Sequence, residues 1–353
     1  MRAAIMRNRK IVVDTVPEPE PLAGEVLVSV HACGICGSDL SALKHGDLMV
    51  EASREAGVPP ASVMDLAKDV YMGHEFCAEI LEYGPDTTQL HKKGTRVVHP
   101  AILIRGNDAY GIGYSNVVPG GFGERMILSE MLLVPVPDGL PSDQAALTEP
   151  LSVGIHAVAR ARIAAGDSAI VIGCGPIGLG VIAGLRLANV ENIVAADFSP
   201  MRRTLAEHMG ATIVVDPSER SAFDAWNGLG QLTPPAIFDC VGGAGMLKGI
   251  MREAPGNSRV VVAGVTMDED HFKPMVATVR ELDVSFSFGH SVEEFTQTLH
   301  NMAEGNIDAA PLITGRCGLD GVAAAFEDLR QPDLHAKILV EPGISGSTVD
   351  TTK

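Results

Sequence analysis

Two hydrophobic rhythms divide the chain. In the first third, short apolar runs are cut by turn residues. Residues 1 to about 35 read as strands: Lys10–Val13 precedes a turn at Pro17–Pro21, and Glu25–Val30 alternates in part, as a half-buried strand does. Glycine-rich loops and short apolar runs continue to about residue 137, so this stretch is predicted to be mostly β. Helical pattern starts near Ser142 and becomes continuous from Leu151. From 155 to 295, compact runs suited to buried parallel strands recur between helical stretches: Ile170–Ile172, Ile193–Ala196, Ala211–Val215, Ala236–Cys240 and Arg259–Ala263. That alternation predicts a doubly wound α/β sheet. Glu293–Ala303 reads as a helix, and Ala336–Val340 as a last strand returning to the first domain. The Gly/Ser/Thr-rich tail from Gly343 to Lys353 is expected to be disordered. Ala42–Val70 stands apart: it is polar and partly helical, with a Pro59-Pro60 break.

The run at Ile170 ends in a glycine triplet spaced G-x-G-x-x-G: Gly173, Gly175, Pro176, Ile177, Gly178. A helical stretch follows to Ala188, then a second apolar run closed by Asp197. In a strand–turn–helix–strand context this is a dinucleotide site. Gly173 permits the tight turn, Gly175 lets backbone approach a pyrophosphate at the helix N-terminus, and Gly178 lets helix and strand pack. Asp197 would accept from an adenosine ribose and repel a 2′-phosphate, which favours NAD over NADP.

Charge narrows the partners. Net charge is −17, which repels nucleic acid and anionic membranes, so neither is expected as a partner. No apolar run is long enough to span a bilayer, and the first residues lack a signal-peptide pattern. Six scattered cysteines suit a reducing, cytoplasmic setting.

The first third also carries Gly34-Ile35-Cys36-Gly37-Ser38-Asp39, then Gly73-His74-Glu75, then Thr148-Glu149-Pro150. Each alone is ordinary: a small core cysteine, a surface His-Glu pair, an acid at a helix start. Cys33 and Cys36 form a C-x-x-C, but the fold context of a redox motif is missing. Together the motifs offer one sulfur, one imidazole and carboxylates. That donor set suits Zn²⁺ in an open catalytic site.

With these motifs, and with Glu149-Pro150-Leu151-Ser152-Val153-Gly154 running into Ile155-His156-Ala157, the chain resembles the zinc-dependent medium-chain dehydrogenases of the alcohol and polyol group over nearly its whole length. The resemblance implies a GroES-like β catalytic domain at 1–153 and 297–353, and a Rossmann NAD-binding domain at 154–296. It implies one catalytic zinc per chain, with Cys36, His74 and Glu149 as ligands. Glu75 would be a neighbouring or transient ligand, and Asp39 would orient the ligand histidine. Ser38 would take the alcohol proton. Arg202 and Lys337 match cationic positions near the cofactor's ribose and pyrophosphate, and Val265 and Phe288 match backbone positions beside the nicotinamide. The implied reaction moves hydride between an alcohol, or its aldehyde or ketone, and NAD. The family forms dimers or tetramers.

There are departures. Relatives with a structural zinc carry four cysteines after the His-Glu motif, but Val98–Gly123 has none, so no structural zinc is expected. The position of a relay histidine is Ser41; His45 is either its replacement or a solvated loop histidine. Cys36 and His74 lie 38 positions apart, longer than in those relatives; the excess at 44–70 is expected to be a lid or substrate-selecting wall, or a peripheral insertion. Two other readings are open: a zinc-free enone or quinone reductase of the same fold, and a non-catalytic nucleotide-binding protein.

Overall fold

The computed structural model describes every residue except 231–232, 347–348 and 352–353. In chain order its strands and helices are β1 (Arg2–Arg7), β2 (Lys10–Thr15), β3 (Glu25–Gly34), α1 (Gly37–Glu55), β4 (Val70–Met72), β5 (Glu75–Tyr83), β6 (Arg96–Val98), β7 (Ile102–Arg105), β8 (Asp108–Gly111), β9 (Tyr114–Ser115), β10 (Arg125–Ser129), β11 (Val134–Pro135), α2 (Ser142–Ala145) and α3 (Thr148–Arg160). They continue as β12 (Ser168–Ile172), α4 (Pro176–Leu187), β13 (Asn192–Ala196), α5 (Pro200–His208), β14 (Ile213–Val215), α6 (Ala222–Asn227), β15 (Ala236–Asp239), α7 (Met246–Glu253), β16 (Arg259–Val262), α8 (Pro274–Val279), β17 (Asp283–Phe286), α9 (Val292–Ala303), β18 (Ile313–Cys317), α10 (Val322–Asp328), β19 (Lys337–Val340) and β20 (Asp350–Thr351). The chain divides into two units. One is Met1–Glu149 with Leu299–Glu304 and Ile313–Lys353; the other is Pro150–Thr298 with Gly305–Leu312.

The first unit is built on β3. Its residues are nearly all buried, because β5 and β10 pair with it antiparallel and β19 closes on its last residues at Leu339↔Gly34 and Val340↔Cys33. The sheet runs β11-β6-β5-β3-β19-β18-β20. Val26, Val28, Ile80, Met126, Phe122, Phe326 and Ile338 fill its core. A second sheet, β2-β1-β4-β9, carries the approach to His74. The return strand expected at Ala336–Val340 is β19. The tail departs from its expected disorder: β20 pairs antiparallel with β18 at Gly315↔Thr351 and Arg316↔Asp350. The sheet edge left by β18 supplies backbone partners that composition does not reveal. Residues 347–348 and 352–353 of that tail lie outside the described residues.

The second unit is a six-stranded parallel sheet ordered β14-β13-β12-β15-β16-β17. Counted from its first strand this is 3-2-1-4-5-6, the doubly wound order, whose reversal point lies beside β12. Ile170, Val194, Ile237 and Val260 are fully buried, as strands covered on both faces require.

The excursion at 44–70 is mostly α1 and an anchored loop. α1 buries a narrow stripe, Asp39, Ala42, Gly46 and Val50, at helical spacing, and kinks at His45 (φ −126°, ψ 29°). Beyond it, Asp47 pairs with Arg9 at 2.5 Å, and Ser62 Oγ donates to the Ala109 carbonyl at 2.5 Å. Asn116 Nδ2 donates to the Asp65 and Asp69 carbonyls, and the Asp69 carboxylate binds Arg7. These ties fasten the excursion to β1 and the turn after it, to β8 and to the residue that follows β9. Among the described residues no helix is long and apolar enough to cross a membrane.

Candidate metal centre and cofactor loop

Cys36 sits at the N-terminus of α1. The helix starts there because Asp39, three residues on, reaches back with Oδ2 to accept from the Cys36 N–H at 2.9 Å. The positive end of the helix therefore faces the sulfur. The other oxygen, Asp39 Oδ1, lies 3.6 Å from His74 Nδ1. His74 follows β4 and Gly73, so strand pairing of β4 sets its place. Cys36, His74 and Glu75 bring one donor atom each to within 4.8 Å of one another.

The electrostatics are those of a site short of positive charge. Burial opposes a charge on His74, yet Asp39, the Cys36 side chain and Glu149 hold its imidazole well above the ordinary histidine value. Burial, with Glu75 and Asp39 beside it, pushes the Glu149 carboxyl up to about 7 against the pull of His74 and Lys337. Burial likewise raises Asp39. Lys337 is the fixed cation. It is 1% exposed, and its ammonium donates to both Glu75 oxygens and to the Ile35 carbonyl. Asp39 Oδ1 and His74 Nδ1 are buried with no hydrogen-bond partner. A cation on the far nitrogen of His74 would fix the tautomer that donates from Nδ1 toward Asp39, satisfying both atoms. The residues present therefore fit Zn²⁺.

In the second unit the glycine loop follows β12. Gly173 has φ +90°, and a Cβ at Gly178 would lie 1.9 Å from the Gly173 carbonyl oxygen, so neither position tolerates a side chain. Gly175 caps α4, and nothing stands within 4 Å of the position of a Cβ there except Arg202 Nη1 at 4.0 Å. That open cradle at a helix N-terminus is the space a pyrophosphate needs. Asp197 is held rigidly beside it: Oδ2 accepts from the Cys174 N–H and Oδ1 from the Ser199 N–H, each at 2.8 Å. Arg202 Nε is buried without a hydrogen-bond partner.

Residues 22–138 match the alcohol dehydrogenase GroES-like domain, and residues 176–304 match the zinc-binding dehydrogenase family. Across 97% of its length the chain is 32% identical to the whole (R,R)-butanediol dehydrogenase of Bacillus subtilis. The chain belongs to the zinc-type medium-chain dehydrogenase/reductase family. It is an oxidoreductase of the alcohol and polyol kind. The crystal structure of 2R,3R-butanediol dehydrogenase from Bacillus subtilis superposes with a TM-score of 0.81 at 31% identity, over 97% of this chain and 99% of that one. A zinc-binding dehydrogenase from Sinorhizobium meliloti bound to NADP also gives 0.81, at 28% identity, over 97% and 99%.

Within this dehydrogenase the residues singled out from sequence fall into groups. Cys36, Asp39, His74 and Glu75 converge, and Glu149 lies within their electrostatic reach but outside the tight donor cluster. Ser38 is half-buried on the first turn of α1. His45 is exposed at the kink, about 10 Å further along the axis on the same face. Val265 and Phe288 are 58% and 88% exposed beyond the carboxyl ends of β16 and β17. Lys337, expected near the cofactor's ribose and pyrophosphate, directs its ammonium to both Glu75 oxygens and the Ile35 carbonyl. Cys33 is fully buried, and Cys33 and Cys36 are both free thiols. Sequence reading missed Tyr114, whose hydroxyl lies at Ser38; it stands 76 positions away and carries no local signal.

Proposed function

We propose that this protein is an NAD-dependent dehydrogenase with one zinc per chain, acting on secondary alcohols and vicinal diols. The observation that carries it is the convergence of Cys36 and His74 with buried carboxylates around the two unpartnered atoms of Asp39 and His74. Cys36, His74 and Glu149 would hold the metal. Glu75, already gripped by Lys337, would stay beside it and shape its field. Bound there, zinc would supply a Lewis acid for the substrate hydroxyl, and a nicotinamide held at the glycine loop would supply the hydride acceptor.

The chain's own residues do the rest. Ser38 accepts the proton of the substrate hydroxyl. Asp39 keeps the Cys36 amide and the His74 ring in register. The Asp197 carboxylate, fixed by two backbone N–H groups, favours a ribose bearing free hydroxyls and disfavours a 2′-phosphate. NADP is the second reading, because Arg202 leaves a buried donor beside the same loop. A diol substrate rests on the similarity to the butanediol dehydrogenase.

Assembly with a second copy, as a dimer or tetramer, is supported by the edge strand of the parallel sheet. β17 and the preceding helix α8 expose Phe286, Val279 and Met275 at 67%, 72% and 74%. Six free cysteines support a reducing compartment such as the cytoplasm.

The test is a kinetic panel of primary alcohols, secondary alcohols and vicinal diols with NAD and NADP, run alongside metal analysis. The expected result is about one zinc per chain and fastest turnover of a vicinal diol with NAD. A zinc-free protein with full turnover would overturn the proposal.

A further inference from the structure

The stretch 98–123, which holds no cysteine, is folded by packing instead. β7 and β8 form a hairpin, and Leu103, Ile112, Val118 and Phe122 are all buried in the core of the first unit. Its last element, β9, pairs antiparallel with β4 at Met72↔Tyr114 and Tyr71↔Ser115. Met72 is two residues before His74, so this pairing delivers Tyr114 to the metal centre by backbone register. Gly113 makes the approach possible: it has φ +103°, and a Cβ there would lie 2.9 Å from the His74 Cβ. The Tyr114 ring lies 5.4 Å from the His74 ring, tilted by 46°. Its hydroxyl donates to Ser38 Oγ at 2.8 Å.

We propose that Tyr114 is a positioning residue for proton transfer at Ser38. A serine oxygen has one proton and two lone pairs. Tyr114 occupies one lone pair, which leaves a single lone pair to accept from the substrate hydroxyl and turns the seryl proton outward. The step balances without redox: the substrate O–H breaks as Ser38 gains a proton, Ser38 gives its own proton to water, and Tyr114 keeps its proton throughout. The phenol thus removes the rotational freedom of a hydroxyl that would otherwise sample several orientations, so that acceptance is ready when substrate arrives. The segment that takes the place of a metal-stapled lobe therefore does a second job, aligning the acceptor of the first proton.

The inference rests on the reading of Ser38 as proton acceptor, and the experiment separates the two. Tyr114→Phe, Ser38→Ala and the double variant are compared using the alcohol that turns over fastest in the panel above. Zinc content and the solvent deuterium isotope effect are measured on each. Tyr114→Phe is expected to lower kcat roughly tenfold and to enlarge the isotope effect, with KM and zinc content within about twofold of the parent. In the Ser38→Ala background, removing the phenol hydroxyl is expected to cost nothing further. Parental kcat and isotope effect in Tyr114→Phe would overturn the positioning role, as would a loss that multiplies with that of Ser38→Ala. Loss of zinc from Tyr114→Phe would make the residue a support for His74 and also overturn it. Full turnover in Ser38→Ala would bring down the Ser38 reading itself.

Discussion

The Lys337 ammonium lies 2.8 and 2.6 Å from the two oxygens of Glu75, with both side chains essentially sealed from water. Removing one partner leaves a buried charge with no counter-charge. Lys337→Met is therefore expected to lower the stability of the first unit by about 3–5 kcal/mol in urea denaturation. Pairing it with Glu75→Gln should recover more than half of that loss, since the stranded charge disappears. Equal instability of the single and double variants would show that the aliphatic packing of Lys337, and not the ion pair, is what matters.

Cys36 is the proposed sulfur donor of the centre. Cys36→Ala is expected to bring zinc from about one to near zero per chain and to abolish turnover. Calorimetric titration should still find the dinucleotide bound, because the glycine loop belongs to the other unit. Dialysis of the parent against a strong chelator should give the same phenotype, reversed by added zinc.

The proposed preference for NAD rests on the charge of Asp197. Asp197→Asn keeps the side-chain volume and one acceptor but removes the negative charge. The ratio of kcat/KM for NADP to that for NAD is expected to rise at least tenfold, or about 1.4 kcal/mol. An unchanged ratio would assign the preference to other residues, with Arg202 the first to examine.

A methyl group at Gly178 would overlap the Gly173 carbonyl oxygen, at 1.9 Å from its Cβ. Gly178→Ala is expected to push α4 off β12 and weaken dinucleotide affinity by more than tenfold, measured by fluorescence titration. Zinc content should stay at the parental level. Parental affinity would mean that the loop relaxes at little cost.

What could be read from sequence is what local chemistry encodes. The apolar runs at Ile170, Ile193 and Ile237 are strands because they are short, rich in β-branched and aromatic residues and set between helical stretches, and the glycine triplet is a turn that side chains forbid. The joint presence of Cys36, His74 and Glu149 was visible because each sits in a short motif. What was hidden depends on contacts between distant positions. Lys337 looks like a cation for the cofactor, and its grip on Glu75 is hidden until β19 is laid beside β3. Tyr114 looks like a loop aromatic until β9 meets β4. The anchoring of 44–70 rests on Arg7, Arg9, Ala109 and Asn116, none of which lies within the excursion. The tail at Asp350–Thr351 is composed like a loose end, yet an open sheet edge captures it.

Because β19 pairs with β3, the chain must be almost finished before its first unit can close. Glu75 leaves the ribosome 262 residues before Lys337, roughly 13 to 52 s earlier at about 5–20 residues per second. All six strands of the parallel sheet are made in that interval. The nascent metal centre thus waits, open to water and carrying uncompensated carboxylates, while the other unit can already fold. It becomes a sealed site only when β19 arrives, so a truncation between residues 149 and 337 is expected to forfeit the centre even though every candidate zinc ligand has been synthesised.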